Sequence, residues 1–200
     1  MKVIGLTGIL GCGKSTVAKM LEEKGAQVVD MDQAGKWVVE HQPKVLDQLC
    51  EAFGDDVVDH FHRLKRGKLA EIVFSDRHEL QRLNAIVHPS MLVTTREWIE
   101  RVRSGKTALY CIVDSALLFE VGFEADCNAV VLVRAPLEQC LSRAETDKGL
   151  SREQALKRMA MQWSQEKKGE HADYVLDNDE TIQMLKIKVH QLHDWIRSLL

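Results

Sequence analysis

The segment Gly8-Ile9-Leu10-Gly11-Cys12-Gly13-Lys14-Ser15 constrains this chain more than any other stretch. It has the G-x-x-x-x-G-K-[ST] spacing. The apolar run Val3–Thr7 precedes it, and Ser15 to Lys24 follows with Val17, Ala18, Met20 and Leu21 at helical spacing before Gly25. A short continuous apolar run suits a strand buried on both faces of a parallel sheet. A glycine turn between such a strand and a helix points backbone N–H groups inward at the helix N-terminus, where they and the helix dipole bind phosphate oxygens. Lys14 then bridges terminal phosphates and the Ser15 hydroxyl ligates Mg²⁺. The bland alternative is a glycine-rich turn carrying an exposed lysine.

The rest of the chain alternates in the same sense. Ala26–Val29 reads as a second strand ending at Asp30, Leu109–Val113 as a third ending at Asp114, Ala129–Val133 as a fourth and Tyr174–Leu176 as a fifth. Between strands two and three, apolar residues three and four apart predict helices over Lys44–Phe53, Lys68–Phe74 and Arg77–Val87, and Pro89 opens another to about Arg103. Pro136 opens a helix through about Thr146, Ser151 with Gln154 forms a capping box for a helix reaching Trp163, and Glu180–Leu199 closes the chain. The pattern predicts an α/β fold: a five-stranded parallel sheet flanked by helices, with a helical insertion between strands two and three.

With 45% hydrophobic and 28% charged residues over 200 positions, the chain can bury a core and is not mainly disordered. Its net charge of −3 gives no general attraction to nucleic acid or acidic membranes, so positive charge for an anionic ligand has to be local. No run approaches the roughly 18 apolar residues of a bilayer span. The apolar N-terminus is broken by Gly5, Gly8 and Gly11, and reads as a buried strand rather than a signal peptide. Cys12, Cys50, Cys111, Cys127 and Cys140 form no C-x-x-C pair, which argues for reduced thiols in a cytoplasmic protein rather than zinc or disulfides. No nucleic-acid or membrane partner is expected, and the choice between a monomer and a small homo-oligomer stays open.

Several residues have two readings. Asp30 and Asp32 follow the second strand at the sheet edge where ligands bind. Such a carboxylate accepts a proton from an attacking hydroxyl or holds water on Mg²⁺; one of the pair is equally explained as a helix cap. Asp114, closing the apolar run from Tyr110, is a candidate Mg²⁺ carboxylate. Cys12 is acidified and reactive if exposed at the helix N-terminus, and otherwise is a small residue that fits a tight loop. Arg63, Lys65, Arg66 and Lys68 are either a solvated face or a patch that steers a polyphosphate. Trp37, Trp98, Trp163 and Trp195 read as packing, as does the stripe Ile182, Leu185, Val189, Leu192 and Ile196.

The ordered set IGLTGILGCGKSTVA, VVDMDQAGKWVVE, LNAIVHPSM, VDSALLFEVGFE and HADYVLDN resembles the dephospho-CoA kinase family over nearly the whole chain. His88-Pro89, Leu117-Leu118-Phe119-Glu120 and Ala172-Asp173 with Asn178 are more specific than the phosphate loop, which suits many kinases. The resemblance implies phosphoryl transfer from ATP to the ribose 3′-hydroxyl of dephospho-CoA, with Asp32 as the base. It implies ATP phosphates on Gly11, Cys12, Gly13, Lys14, Ser15 and Thr16, Mg²⁺ on Ser15 and Asp114, and Asn178 near the adenine. It also implies a single kinase domain over 1–200, with a CoA-binding helical lobe over about 36–104 contributing His88 and Arg66. Phe119 and Glu120 would line the acceptor site, and Arg143 would reach the nucleotide phosphates from a lid over about 143–168.

Three positions depart from the family pattern. The loop begins Gly8-Ile9-Leu10-Gly11 where the family usually has Gly-Gly-Ile-Gly, and Ala116 replaces a usual proline. The lid carries Asp147-Lys148 where the family often has an arginine and then an aspartate, an exchange of charge that sets a repulsive carboxylate toward transferring phosphate. Three other readings remain: a small-molecule kinase of this fold with another acceptor, a nucleotide-dependent switch (the chain has no N-K-x-D run), and a chain that keeps the fold but has lost activity.

Overall fold

The computed structural model describes residues 1–199. Strands Lys2–Thr7 (β1), Ala26–Asp30 (β2), Tyr110–Asp114 (β3), Ala129–Arg134 (β4) and Tyr174–Asp177 (β5) form one sheet in the order β2-β3-β1-β4-β5. All four pairings are parallel. The three inner strands are the continuous apolar runs, with Ile4, Leu6, Tyr110, Ile112, Val131 and Val133 fully buried, as burial on both faces requires. The edge strands β2 and β5 are partly exposed. Register places Leu6 beside Asp114 and Asp114 beside Asp30, so the two strand-ending acids share the carboxyl edge from which the phosphate loop leaves β1.

The helices are Lys14–Glu22 (α1), Met31–His41 (α2), Pro43–Phe53 (α3), Arg66–Ser75 (α4), Arg77–Gly105 (α5), Leu137–Lys148 (α6), Arg152–Met159 (α7), Gln165–His171 (α8) and Ile182–Ser198 (α9). Val17, Ala18 and Leu21 of α1, Cys140, Leu141 and Ala144 of α6, and Leu185, Val189, Leu192 and Ile196 of α9 belong to the same core as the inner strands. The chain divides into two compact units, Met1–Asp30 with Ile99–Leu200, and Met31–Trp98. The second has its own core, where Val38, Val45, Leu49, Val57, Leu69 and Val73 pack with Leu83, Ile86 and Val87 of α5. Among the described residues, no helix is long and apolar enough to cross a membrane.

Three elements differ from the sequence expectation. Helix α2 follows β2 without a connecting turn, so only the capping reading of Asp30 or Asp32 marks its start. Its spacing was readable, because Met31, Ala34 and Val38 are its buried face. The two helices expected on either side of Pro89 are one, α5, with Pro89 inside it. A mid-helix proline removes one hydrogen bond and crowds the preceding turn. Apolar anchoring on both sides offsets this, with Leu83 and Ile86 before it and Met91 and Ile99 after it turned inward. The capping box at Ser151 is present in both its bonds, but α7 stops at Met159. Ser164 then accepts the Lys167 N–H and starts α8, so a new cap competes with continuation of the old helix.

Tyr110 and His193 join β3 to α9 through a buried 2.8 Å hydrogen bond at His193 Nδ1. Burial pushes Tyr110 up to about 12. Burial also lowers His193; Lys24, Arg197 and His190 act in the same direction and Asp194 opposes them. The folded state therefore holds the neutral imidazole, while the unfolded chain takes up the proton near 6.5. This contribution to stability is complete above pH 6.5 and is lost as pH falls from there through the lower folded value. Thermal unfolding across that range should show wild type losing stability on acidification more steeply than His193→Gln. Parallel slopes would contradict the assignment.

Candidate active site

The phosphate loop takes its shape from close backbone packing. Gly11 has φ +77°, and a Cβ there would lie 2.1 Å from the Cys140 carbonyl oxygen of α6. Gly13 has φ +97°, and a Cβ there would lie 2.2 Å from Asn178 Nδ2. Only glycine satisfies both the dihedral and the space. Asn178, buried just after β5, donates from Nδ2 to the Cys12 carbonyl at 2.9 Å and so fixes the middle of the loop. Cys12 itself is fully buried. Burial raises its thiol pKa against the lowering influence of Lys14, so it is a small packed residue and not an activated thiol.

A cavity of about 400 Å³ lies over this loop. Gly11 to Thr16 form its floor, Arg143, Asp147 and Lys148 of α6 line it, and Asn178, Glu180, Ile182 and Leu185 complete the wall. All the residues expected at the nucleotide thus meet in one place. Lys14 Nζ donates to the Gly8 carbonyl at 3.2 Å, folded over the loop it serves. Arg143 is held by Nη2, which donates to Gln139 Oε1 at 3.0 Å and to the Asn178 carbonyl at 3.4 Å. Its Nη1 is buried with no hydrogen-bond partner and lies 3.9 Å from the Cβ position of Gly13. An unsatisfied guanidinium N–H beside a phosphate loop is a donor awaiting an anion. The two residues of exchanged charge, Asp147 and Lys148, both reach the cavity.

For the cation, the oxygen donors available are the exposed Ser15 hydroxyl at the head of α1 and the carboxylates of Asp114 and Asp30 at neighbouring strand ends. The buried Thr7 hydroxyl, at the end of β1, has no partner in the fold. This hard oxygen set fits Mg²⁺, which keeps water and substrate phosphate among its ligands. Among the described residues, no group of three or more His, Cys, Asp or Glu is placed to hold a metal alone, so nucleotide oxygens would supply the rest.

The remaining expected residues are distributed as follows. Asp30 ends β2, and Asp32 lies in the first turn of α2, where the helix dipole favours a carboxylate. His88 is half-buried within α5, and burial lowers its pKa, so it is neutral at pH 7. Arg66 opens α4 and pairs with Glu40 at 2.6 Å. It lines a second cavity of about 420 Å³ within the Met31–Trp98 unit, with Arg63, His41 and His62 around apolar Val39, Leu46 and Leu64. Phe119 is almost fully buried and stacks on Trp163, centroids 5.7 Å apart. Glu120 turns inward and receives Lys168 Nζ on both oxygens, at 2.8 and 2.9 Å.

The dephospho-CoA kinase family model (CoaE) matches residues 2–184. A dephospho-CoA kinase of Deinococcus radiodurans is 44% identical over 183 residues, 92% of this chain and 86% of that protein. The chain belongs to the dephospho-CoA kinase family. That family catalyses the final, ATP-dependent step of coenzyme A biosynthesis. A dephospho-CoA kinase of Thermobifida fusca is 35% identical over 200 residues, covering 100% of this chain and 98% of its own. The solved structure of TT1252 from Thermus thermophilus superposes with a TM-score of 0.79 at 33% identity, covering 100% of this chain and 97% of that one. A shikimate kinase from Acinetobacter baumannii shares the fold at a TM-score of 0.57 and 16% identity, covering 99% of this chain and 94% of that one. The cavity wall includes residues that the sequence did not single out as functional. Ile182, assigned to packing, is 48% exposed and lines the cavity with Leu185 and Glu180. The signal was available, since Ile182 begins the helix right after the loop that carries Asn178.

Replacing Gly11 tests the loop. Gly11→Ala should fold, but should bind ATP about five- to a hundredfold more weakly in calorimetric titration, from roughly 1–3 kcal/mol of backbone strain and a displaced α6 contact. Wild-type ATP affinity in this variant would contradict the role given to the loop backbone.

Proposed function

We propose that this chain transfers the terminal phosphoryl group of ATP to the ribose 3′-hydroxyl of dephospho-CoA, giving coenzyme A and ADP. The observation that carries this reading is the convergence of the phosphate loop, the unpartnered Arg143 Nη1 and Lys148 on one cavity in a chain of this family. ATP sets its phosphates on the backbone N–H groups of Gly11 to Thr16, with Lys14 leaving the Gly8 carbonyl to meet them. The apolar wall of Ile182 and Leu185 gives the base a surface, with Asn178 holding the loop beneath it.

Asp32 accepts the proton of the 3′-hydroxyl as that oxygen attacks phosphorus, and the bond from phosphorus to the bridging oxygen of ADP breaks. Arg143 Nη1 and Lys14 stabilise the charge spread over the transferred group. Mg²⁺, held by Ser15 and Asp114 with nucleotide oxygens, would neutralise phosphate charge. In the Met31–Trp98 unit, the basic, apolar-floored cavity at Arg66 suits an acceptor that joins phosphates to an apolar arm. His88, held neutral, offers that acceptor a hydrogen bond and not a charge. Phe119 bounds the acceptor side of the sheet edge. Reduced cysteines and an ATP substrate fit a cytoplasmic location.

Two measurements check this. Coupled ADP release with ATP, Mg²⁺ and dephospho-CoA should depend on the acceptor, and Asp32→Asn should lose about 10²–10⁴-fold in kcat while binding ATP normally. Turnover that ignores the acceptor, or survives in Asp32→Asn, would overturn the reading. The lid carboxylate gives the second. Asp147→Asn should tighten ATP binding about two- to fivefold at low ionic strength, and added salt should shrink the gain. An unchanged or weaker affinity would contradict repulsion by Asp147.

A further inference from the structure

The link between α7 and α8 makes contacts that the reaction described above does not use. Gln162 Oε1 accepts the Leu10 N–H of the phosphate loop at 3.1 Å. The Trp163 N–H donates to Glu120 Oε1 at 2.5 Å. Lys168 Nζ, on a fully buried side chain, donates to both Glu120 oxygens and to the Ala116 carbonyl, the last at 2.8 Å. The rings of Phe119 and Trp163 lie nearly parallel, 9° apart in plane. Gln162 to Lys168 therefore grips two loops at once, the phosphate loop after β1 and the turn after β3. These strands are neighbours in the sheet.

A buried ammonium is costly unless its donors are satisfied, and an apolar side chain would fill the same space without that penalty. Here three donors meet three acceptors, all on the turn after β3. Burial lowers the proton affinity of Lys168, Glu120 restores part of it, and the charge of Lys14 in the phosphate loop is felt at the same ammonium. What a directional pair adds over apolar packing is a fixed distance. We infer that Gln162, Lys168 and Glu120 form a positioning strut that sets the spacing between the phosphate loop and the Phe119–Glu120 turn, and through it the alignment of acceptor hydroxyl and transferred phosphoryl group. Glu120 on this account is a positioning residue, not a ligand of the acceptor. The part concerning alignment rests on the phosphoryl transfer proposed above; the mechanical coupling of the two loops does not.

The test uses the full chain with Lys168→Met and Gln162→Met, each keeping side-chain length and losing the polar contact. Amide hydrogen exchange is read at Leu10 and at Gly122, whose N–H donates to the Phe119 carbonyl. A strut predicts that Lys168→Met, whose side-chain hydrogen bonds go to the turn, speeds exchange at Leu10 by roughly tenfold or more, and that Gln162→Met does the same at Gly122. A purely local structural role predicts acceleration on the mutated side alone, and that result would overturn the inference. Steady-state kinetics with ATP and dephospho-CoA should show kcat down about tenfold or more in both variants, with KM for ATP within about twofold of wild type. A wild-type kcat in either variant overturns it as well. If Lys168→Met does not fold, Gln162→Met decides by the same two readouts. If wild type forms no product from dephospho-CoA, the functional reading fails and the exchange data alone decide the strut.

Discussion

Everything in this molecule is arranged around a stretch of backbone that must present its N–H groups to several negative charges in a chain whose own net charge is −3. The turn from Gly8 to Lys14 can do so only where no side chain intervenes. A Cβ at Gly8 would meet the Val133 carbonyl of β4, one at Gly11 the Cys140 carbonyl of α6, and one at Gly13 the side chain of Asn178. The loop is thus moulded against the end of β4, the body of α6 and the exit of β5. Those elements in turn carry the groups that line the cavity over the loop.

This explains the economy of the site. Helix α6 uses its buried face, Cys140, Leu141 and Ala144, to pack on the core, and that packing aims Arg143 at the loop. Asn178 uses its side chain on the Cys12 carbonyl, so the residue nearest the loop is a structural tie as well as part of the wall. Burial keeps the Cys12 thiol protonated and packs the middle of the loop against the core. The C-terminal end of α6 departs from this consistency: Asp147 faces the same cavity as Arg143 and Lys148. Asp147 sets an opposing charge there that the family pattern usually places elsewhere.

What could be read from the sequence was what is local along the chain. The phosphate loop, its flanking strand and helix, the acids at Asp30 and Asp114 and the capping box at Ser151 each declare themselves within a few residues. Helix α2 was overlooked because it follows Asp30 with no turn or breaker between, and Pro89 was given more weight than the apolar anchors on both sides of it. The contacts of Lys168 lie beyond any local rule. It sits in the polar run Gln165–His171, which reads as a solvated helix, and its burial follows from Glu120, 48 residues away. Gln162 and Leu10 are 152 residues apart. Glu120 looked like part of the acceptor site for the same reason, since its partners arrive from a distant element.

The account makes one chemical claim above the others: the phosphoryl group leaves ATP for a ribose 3′-hydroxyl and not for water or another acceptor. Product analysis tests this most directly. After reaction of wild type with ATP, Mg²⁺ and dephospho-CoA, phosphorus NMR and mass spectrometry should find one new phosphomonoester on the ribose 3′-oxygen for each ADP formed. ADP accumulating beside unmodified dephospho-CoA, or a phosphoryl group on any other oxygen, would contradict it.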